Sequence, residues 1–195
     1  KFDLGRMFGF AYGEKENGAV FSHMAVMYAN ALYKRGFIKE GYKVLKNLLD
    51  SAMDFENSIM YPGIPEYFDN EGRGLYAYLT GAASWYMLTM ITEVFGVRGE
   101  LGNLVIKPAL LPEQFDKEGK AAIKLKFAGT TLKITIHADV DNIHHNNGVY
   151  DKIIRVECDG NELETADLGK VVIMKKTIEE MSRKKCHEIE VFIKY

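Results

Sequence analysis

Cysteine and proline are scarce in this sequence of 195 residues, which contains two cysteines and four prolines. Cys158 and Cys186 stand far apart and form no CxxC pair, which argues against a disulfide framework and against a zinc cluster. This cysteine usage is typical of a reducing compartment, and we predict a cytoplasmic protein without a metal site.

An excess of charge of one sign is lacking as well. The formal net charge is −2, so no basic surface for nucleic acid is expected. Threonine, serine, glycine and glutamate interrupt the longest apolar stretch, at 75–95, which therefore predicts a buried helix and no membrane span. The sequence starts at Lys1 without a methionine and shows no signal peptide, so we expect a fragment of a longer chain.

The apolar periodicity changes near residue 100. Before it, spacings of three and four predict helices at about 21–35, ended by Gly36, at 42–53 and at 74–95. The third helix is apolar on nearly all faces, so it needs packing partners beyond the other two. We predict an α+β protein whose first domain spans 1–100.

Residues 101–195 form the second predicted domain, where apolar residues alternate with polar ones at a period of two. The pattern predicts short strands of an antiparallel β-sandwich, with Asp159-Gly160 as a hairpin turn and a helix that starts at an N-cap on Thr177. The strands are expected at 123–127, 132–136, 153–158, 171–174 and 189–193, and the helix is expected at 177–185.

Two segments place polar groups at the start of an apolar helix. His23 falls in the first turn of the first helix, where free backbone amides and the helix dipole can hold an anion. In the third predicted helix, Thr80-Gly81 offers a hydroxyl and an accessible backbone amide. The alternative for His23 is a structural histidine in the core, below a solvated helix cap. The alternative for Gly81 is a glycine that allows two helices to pack closely.

A third segment, the two-proline loop at 61–68, carries Glu66 between aromatic residues. This composition suits the wall of a sugar site, although an ordinary rigid turn explains it too. His144-His145 lacks neighbours at metal-ligand spacing and favours a surface loop. Glu93 and Glu100 look solvated. G-x-S-x-G, P-loop and G-x-G-x-x-G motifs do not occur.

Together, these motifs resemble glycoside hydrolase family 94, the inverting phosphorylases of β-glucosides, which include cellobiose, cellodextrin and 1,2-β-oligoglucan phosphorylases. The family's Lys-Glu-Asn-Gly run ending in Phe-X-His matches 15–23, and its Leu-Thr-Gly run ending in Trp matches 79–85. Its Gly-Val-Arg segment and the following Gly-X-Leu-X-Ile-X-Pro match 96–98 and 102–108. The resemblance covers about 5–112.

The resemblance implies that 1–100 are the last helices of an (α/α)6 barrel, and that phosphate is a co-substrate with no cofactor required. The family's phosphate-binding positions fall on His23 and Thr80-Gly81. Its sugar-contacting pair falls on Lys15 and Glu16, and Glu66 is our candidate for a further sugar contact. The general-acid aspartate and a phosphate-binding arginine lie upstream in the family, so the catalytic residue is expected outside this sequence.

The implied reaction cleaves a β-glucoside with phosphate and gives α-glucose 1-phosphate. The implied partners are an oligosaccharide or disaccharide, phosphate, the rest of the catalytic domain and a second copy in a homodimer. Two alternatives remain. An inverting hydrolase on the same barrel needs a second carboxylate, which Thr80-Gly81 does not supply. A non-catalytic carbohydrate-binding or interdomain module predicts exposed aromatics on the strands, where few occur.

Overall fold

The computed structural model describes residues 5–61, 63–77, 81–139, 150, 152–163, 169–181, 183 and 185–195. The chain forms two compact units, Lys1–Thr89 and Met90–Tyr195. The division falls within the third predicted helix, before the expected boundary at residue 100. The assignment of 1–100 and 101–195 as domains stays a prediction, as do the barrel and the sandwich.

Helices and one small sheet build the first unit. A 3-10 helix, Gly5–Gly9, precedes the helices α1 (Ser22–Lys34), α2 (Ile38–Met53), α3 (Phe55–Ser58) and α4 (Gly81–Thr89). The antiparallel sheet contains the strands β1 (Val20–Phe21), β2 (Tyr67–Phe68) and β3 (Gly74–Leu75). The first two predicted helices are confirmed by α1 and α2.

The predicted start of the third helix at Gly74 is wrong. Gly74 and Leu75 pair with β2 as an edge strand, and Tyr76 has a positive φ of 64°, which a helix does not allow. The helix α4 begins at Gly81, and a π-helical turn, Met90–Val94, follows it. Periodicity failed here because Gly74 and Leu75 pair with a strand that lies outside the predicted helix.

Helix packing in the first unit depends on close approach and on one buried hydrogen bond. A Cβ at Gly41 of α2 would lie 2.6 Å from the ring of Tyr33 in α1, so only glycine lets these helices meet. The buried Asn30 of α1 donates to the hydroxyl of Thr89 in α4 at 3.1 Å. These contacts fix α1 between α2 and α4, which positions the amino ends of α1 and α4.

The second unit contains two sheets. The strands β4 (Val97–Glu100), β5 (Asn103–Ile106) and β10 (Val171–Ile173) pair antiparallel in the order β10-β5-β4. The other sheet has the order β6-β7-β11-β8-β9. Its strands are β6 (Lys120–Phe127), β7 (Thr130–Ala138), β8 (Lys152–Cys158), β9 (Asn161–Glu162) and β11 (Cys186–Lys194). The short 3-10 helix Pro112–Gln114 and the helix α5 (Lys175–Glu180) complete the described elements.

The predicted fully antiparallel pairing is wrong at one place. The last strand, β11, lies between β7 and β8 and pairs parallel to β7 and antiparallel to β8. Because β7 and β8 therefore run in opposite directions, any strand between them must be parallel to one of them. Alternation in the sequence indicates which face of a strand is buried, but it carries no information on strand order.

The helix α5 begins at Lys175, so the predicted N-cap at Thr177 is wrong. The side-chain oxygen of Asn103 in β5 accepts from the backbone amide of Lys175 at 2.8 Å. A residue distant in sequence thus satisfies the amide that a local cap would satisfy. Glu93, expected in solvent, is buried and paired with Arg98, whose Nε also donates to the carbonyl of Thr92.

The predicted turn at Asp159-Gly160 is confirmed, with positive φ at both residues. Asp159 also contacts β11. Its carboxylate accepts from Lys185 at 2.9 Å and from the backbone amide of Glu188 at 3.0 Å, and one oxygen lies 2.7 Å from Nδ1 of the buried His187. The hydrogen bond from Lys185 is the main cause that lowers the pKa of Asp159 to about 2.

We expect the Asp159→Asn variant to lose about 2 kcal/mol of stability at neutral pH, since one pKa unit corresponds to about 1.4 kcal/mol. A carboxylate whose pKa is lowered on folding stabilises above its unfolded pKa of about 3.9, and this contribution disappears as the pH falls towards about 2. The free energy of unfolding, measured with urea between these pH values, should therefore depend more steeply on pH in the wild type than in the variant. Glu162→Gln, an equal charge change on an exposed residue of β9, is the control.

Candidate functional site

The amino ends of α1 and α4 meet at His23 and Gly81. Gly81 is the first residue of α4, and His23 is the second residue of α1. A Cβ at position 81 would lie 2.3 Å from Cε1 of His23 and 2.6 Å from each ring nitrogen. The imidazole therefore packs against the α-carbon of Gly81, and no larger residue fits without moving it.

Buried polar atoms lie at this junction without hydrogen-bond partners in the part of the chain that the structure describes. They are Nε2 of His23 and Oγ of Ser22. A buried polar group without a partner costs about 1–3 kcal/mol, so a ligand that supplies the missing hydrogen bond gains that energy on binding. The indole of Trp85 lies beside the imidazole, with 6.0 Å between the ring centroids.

The electrostatics of the junction favour an anion. Phe21, at the N-cap of α1, is extended and provides no side-chain cap for the first-turn amides. The positive end of the dipole of α4 lies next to the same imidazole, because Gly81 begins that helix. Two helix amino ends and a histidine are groups that bind phosphate in proteins.

A second group of side chains surrounds Lys15. Its Nζ lies 2.7 Å from Oε2 of Glu66 and 3.7 Å from the ring centroid of Tyr76, with the ring of Tyr67 at 5.1 Å. The ion pair is largely buried, since the side chains of Lys15 and Glu66 are 15% and 22% exposed. Lys15 lines a pocket of about 290 Å³ together with Phe10, Glu14, Tyr67, Leu75 and Tyr76.

A tight turn brings Lys15 into this pocket. Gly13 donates to the carbonyl of Asn17 at 2.7 Å, and Asn17 donates to Glu14 at 2.8 Å. Lys15 has a positive φ of 43° between them. A Cβ at Gly13 would lie 2.2 Å from the amide oxygen of Asn70, so the turn packs directly against the connection between β2 and β3.

Hydrogen bonds of the small sheet connect the pocket to the helix junction. The backbone amide of Ser22 donates to the carbonyl of Glu66 at 2.9 Å, and the amide of Glu66 donates to the carbonyl of Tyr76 at 3.1 Å. These two hydrogen bonds hold the backbone of Glu66 between the helix junction and the pocket. Burial raises the pKa of Tyr67, against the opposing effect of Lys15, so its hydroxyl stays protonated at neutral pH.

The structure brings together two pairs of the residues that we predicted for the site, His23 with Gly81 and Lys15 with Glu66. Glu16 lies apart from the pocket lining: its side chain is exposed and lies 3.7 Å from Arg6. Thr80 lies outside the described residues, as does His144-His145. The roles of all six candidates in phosphate and sugar binding stay predictions.

Glu14, Phe10 and Tyr76 line the pocket as well, and the sequence motifs did not predict them as site residues. The available signal was weak: an acidic residue precedes the Lys-Glu pair, and aromatic residues flank both loops. Among the described residues, no group of three or more histidine, cysteine or acidic side chains could hold a metal ion. No helix within the described ranges is long and apolar enough to span a membrane.

Comparison with known proteins gives a distant similarity to an enzyme. No protein-family model matches the sequence. The chain is similar to a glycoside phosphorylase, the cellobionic acid phosphorylase of Neurospora crassa, with 26% identity over 166 residues. The similarity covers 78% of this chain and 20% of that enzyme, so the chain spans about one fifth of the length of the relative that it matches.

Proposed function

We propose that this chain forms part of the active site of an inverting glycoside phosphorylase of the family 94 type. The observation that carries the proposal is the junction of His23 and Gly81, where a buried ring nitrogen without a described partner lies between two helix amino ends. The distant similarity to a phosphorylase supports it independently. His23, Thr80 and Gly81 bind phosphate, and Lys15, Glu16 and Glu66 contact the sugar.

In the proposed reaction, a phosphate oxygen bonds to the anomeric carbon while the glycosidic C–O bond breaks on the opposite face. A carboxylic acid supplied by another part of the enzyme protonates the leaving oxygen. Inversion converts the β-glucoside into α-glucose 1-phosphate, as in inverting hydrolysis with phosphate replacing the activated water. The contribution of this chain is to orient phosphate and to bind part of the sugar.

Exposed apolar side chains support the proposed barrel. Met24 and Tyr28 on α1 and Met87 on α4 are 67%, 60% and 59% exposed. Monomeric proteins rarely leave clusters of large apolar residues in water, so further helices of a catalytic domain are the proposed cover.

Phosphate binding by this chain tests the proposal. Trp85 is the sole tryptophan of the sequence and lies beside His23, so its fluorescence reports on the junction. We expect a saturable change on titration with phosphate. His23→Ala should weaken the affinity about tenfold or more, since a charge-assisted hydrogen bond contributes about 1.5–3 kcal/mol.

The control for this titration is Lys34→Gln, which removes a positive charge from the other end of α1, where the residue is exposed. Its phosphate affinity should equal that of the wild type within about twofold, because one distant surface charge is screened by salt. An unchanged affinity in His23→Ala, or the absence of any fluorescence change in the wild type, contradicts the proposed phosphate site.

A further inference from the structure

We propose that Ser22 is a further phosphate-binding residue, whose hydroxyl donates a hydrogen bond to the same anion as His23. The inference rests on the proposed function and adds to it a residue to which the sequence motifs give no role, because Ser22 occupies the variable position of the Phe-X-His run. Two observations carry it: the hydroxyl of Ser22 is buried without a described partner, and Ser22 lies at the uncapped start of α1.

The hydroxyl of Ser22 lacks the hydrogen bond that a buried polar group normally makes. Ser22 is the first residue of α1 and is fully buried. Its backbone amide donates to the carbonyl of Glu66, so the hydroxyl is the donor of this residue that is left for a ligand. In the part of the chain that the structure describes, the hydroxyl oxygen has no partner, and water does not reach it. Native proteins contain few such groups because they are destabilising, so a ligand is the expected partner.

The surroundings of the hydroxyl favour an anion as this ligand. Nε2 of the adjacent His23 is also buried and has no partner within the described ranges. Phe21 provides no side-chain cap for the first-turn amides, which point out of the same end of the helix. A serine hydroxyl, free amides and an imidazole can all donate to one acceptor, and the helix dipole adds positive potential. A phosphate group, with several acceptor oxygens, satisfies them together.

The junction is closed around these atoms. Neither the hydroxyl of Ser22 nor Nε2 of His23 is exposed to water, so the side chains that cover them have to move apart before phosphate enters. The two missing hydrogen bonds make the closed arrangement less stable, and binding of the anion recovers them. Ser22 thus contributes to binding and lowers stability, a combination that is common in functional sites. A serine with a structural role would instead stabilise the chain in the absence of phosphate.

The test combines thermal unfolding with titration of inorganic phosphate, both followed by the fluorescence of Trp85 in α4, the sole tryptophan of the sequence. Ser22→Ala removes the hydroxyl, so the unfolding midpoint without phosphate should rise by about 4–8 °C in a unit of this size. The same variant should bind phosphate about tenfold more weakly, the effect of one hydrogen bond to a charged group. Ser22→Cys keeps a side chain of similar shape with a weak donor and should weaken phosphate binding to a similar extent.

Ser58→Ala is the matched control. Ser58 is fully buried too, at the end of α3, but its hydroxyl oxygen accepts from the backbone amide of Met60 at 3.4 Å. Its replacement should lower the unfolding midpoint and leave the phosphate affinity at the wild-type value, because a satisfied hydrogen bond is lost and the anion site is kept. All titrations hold the ionic strength constant by exchanging chloride for phosphate, so that screening does not contribute.

An unchanged or lower unfolding midpoint in Ser22→Ala would show that the hydroxyl is not an unsatisfied group, and an unchanged phosphate affinity would show that phosphate does not contact it. Either result overturns the inference, as does a Ser22→Cys variant that binds phosphate as tightly as the wild type. If His23→Ala weakens phosphate binding and Ser22→Ala does not, the phosphorylase assignment stands and the role of Ser22 is wrong. If the wild type binds no phosphate, the inference and the proposed phosphate site both fail.

Discussion

Replacing Gly96 with alanine is expected to destabilise the second compact unit by about 3 kcal/mol or more. Gly96 has a positive φ of 66°, and a Cβ there would lie 1.7 Å from the carbonyl oxygen of Lys107. The left-handed conformation alone costs a non-glycine residue about 1–2 kcal/mol. The overlap with backbone adds to it, because the amide of Lys107 donates to the carbonyl of Gly96 at 3.0 Å and the two segments cannot separate without breaking this bond.

The matched control is Gly160→Ala in the turn between β8 and β9. Gly160 has a similar φ of 79°, but no atom lies within 4 Å of the added Cβ. Its cost should be that of the backbone conformation alone, about 1 kcal/mol. Urea unfolding followed by the amide signals of β5 and β7 measures both variants. Equal effects of the two substitutions would show that the contact with Lys107 contributes nothing.

Gly96 also shows what a sequence motif can and cannot reveal. The Gly-Val-Arg segment stands out in the sequence, yet its physical reason is visible only in the structure: the glycine permits the contact with Lys107, and Arg98 pairs with the buried Glu93. Glu93 looked solvated because a charged residue near a helix end usually is. Its burial depends on a partner five residues later that a helical pattern does not anticipate.

Elements whose patterns are local were predictable. Helices α1 and α2 have apolar stripes, and Gly36 marks the end of α1. The turn at Asp159-Gly160 follows from its residue types. Elements fixed by distant partners were not. The side chain of Asn103 sets the start of α5, pairing with β2 makes Gly74–Leu75 a strand, and the insertion of β11 creates a parallel pair.

The same distinction holds for the candidate site. Motif spacing predicted that His23 and Gly81 matter, and the structure brings their side chain and backbone into contact. The ion pair of Lys15 with Glu66 joins residues 51 positions apart, and Glu14 enters the pocket through a turn whose geometry depends on Gly13 and Asn70. Pairings over such separations cannot be read from periodicity.

Replacing Gly81 with alanine is expected to destabilise the first unit and to weaken phosphate binding about tenfold or more. Helix propensity alone predicts the opposite sign for stability, since alanine is better than glycine in a helix by about 1 kcal/mol. The added Cβ would, however, lie 2.3 Å from the imidazole of His23. We expect a net loss of about 1–3 kcal/mol, which is usual for overpacking, and a displaced ring that no longer meets phosphate.

A double-mutant cycle separates the steric effect from the loss of the proposed phosphate site. Because His23→Ala removes the ring that the new methyl group would strike, the double variant Gly81→Ala with His23→Ala should recover the stability lost in Gly81→Ala, giving a coupling of about 1–3 kcal/mol. Phosphate affinity should stay low in the double variant, since the imidazole is absent.

Gly9→Ala, with open space around its Cβ, controls for the glycine-to-alanine change itself. Thermal unfolding and the Trp85 titration provide the two readouts. Additive stability effects would show that the ring does not occupy the space beside Gly81, and a double variant that bound phosphate as tightly as the wild type would place the anion elsewhere.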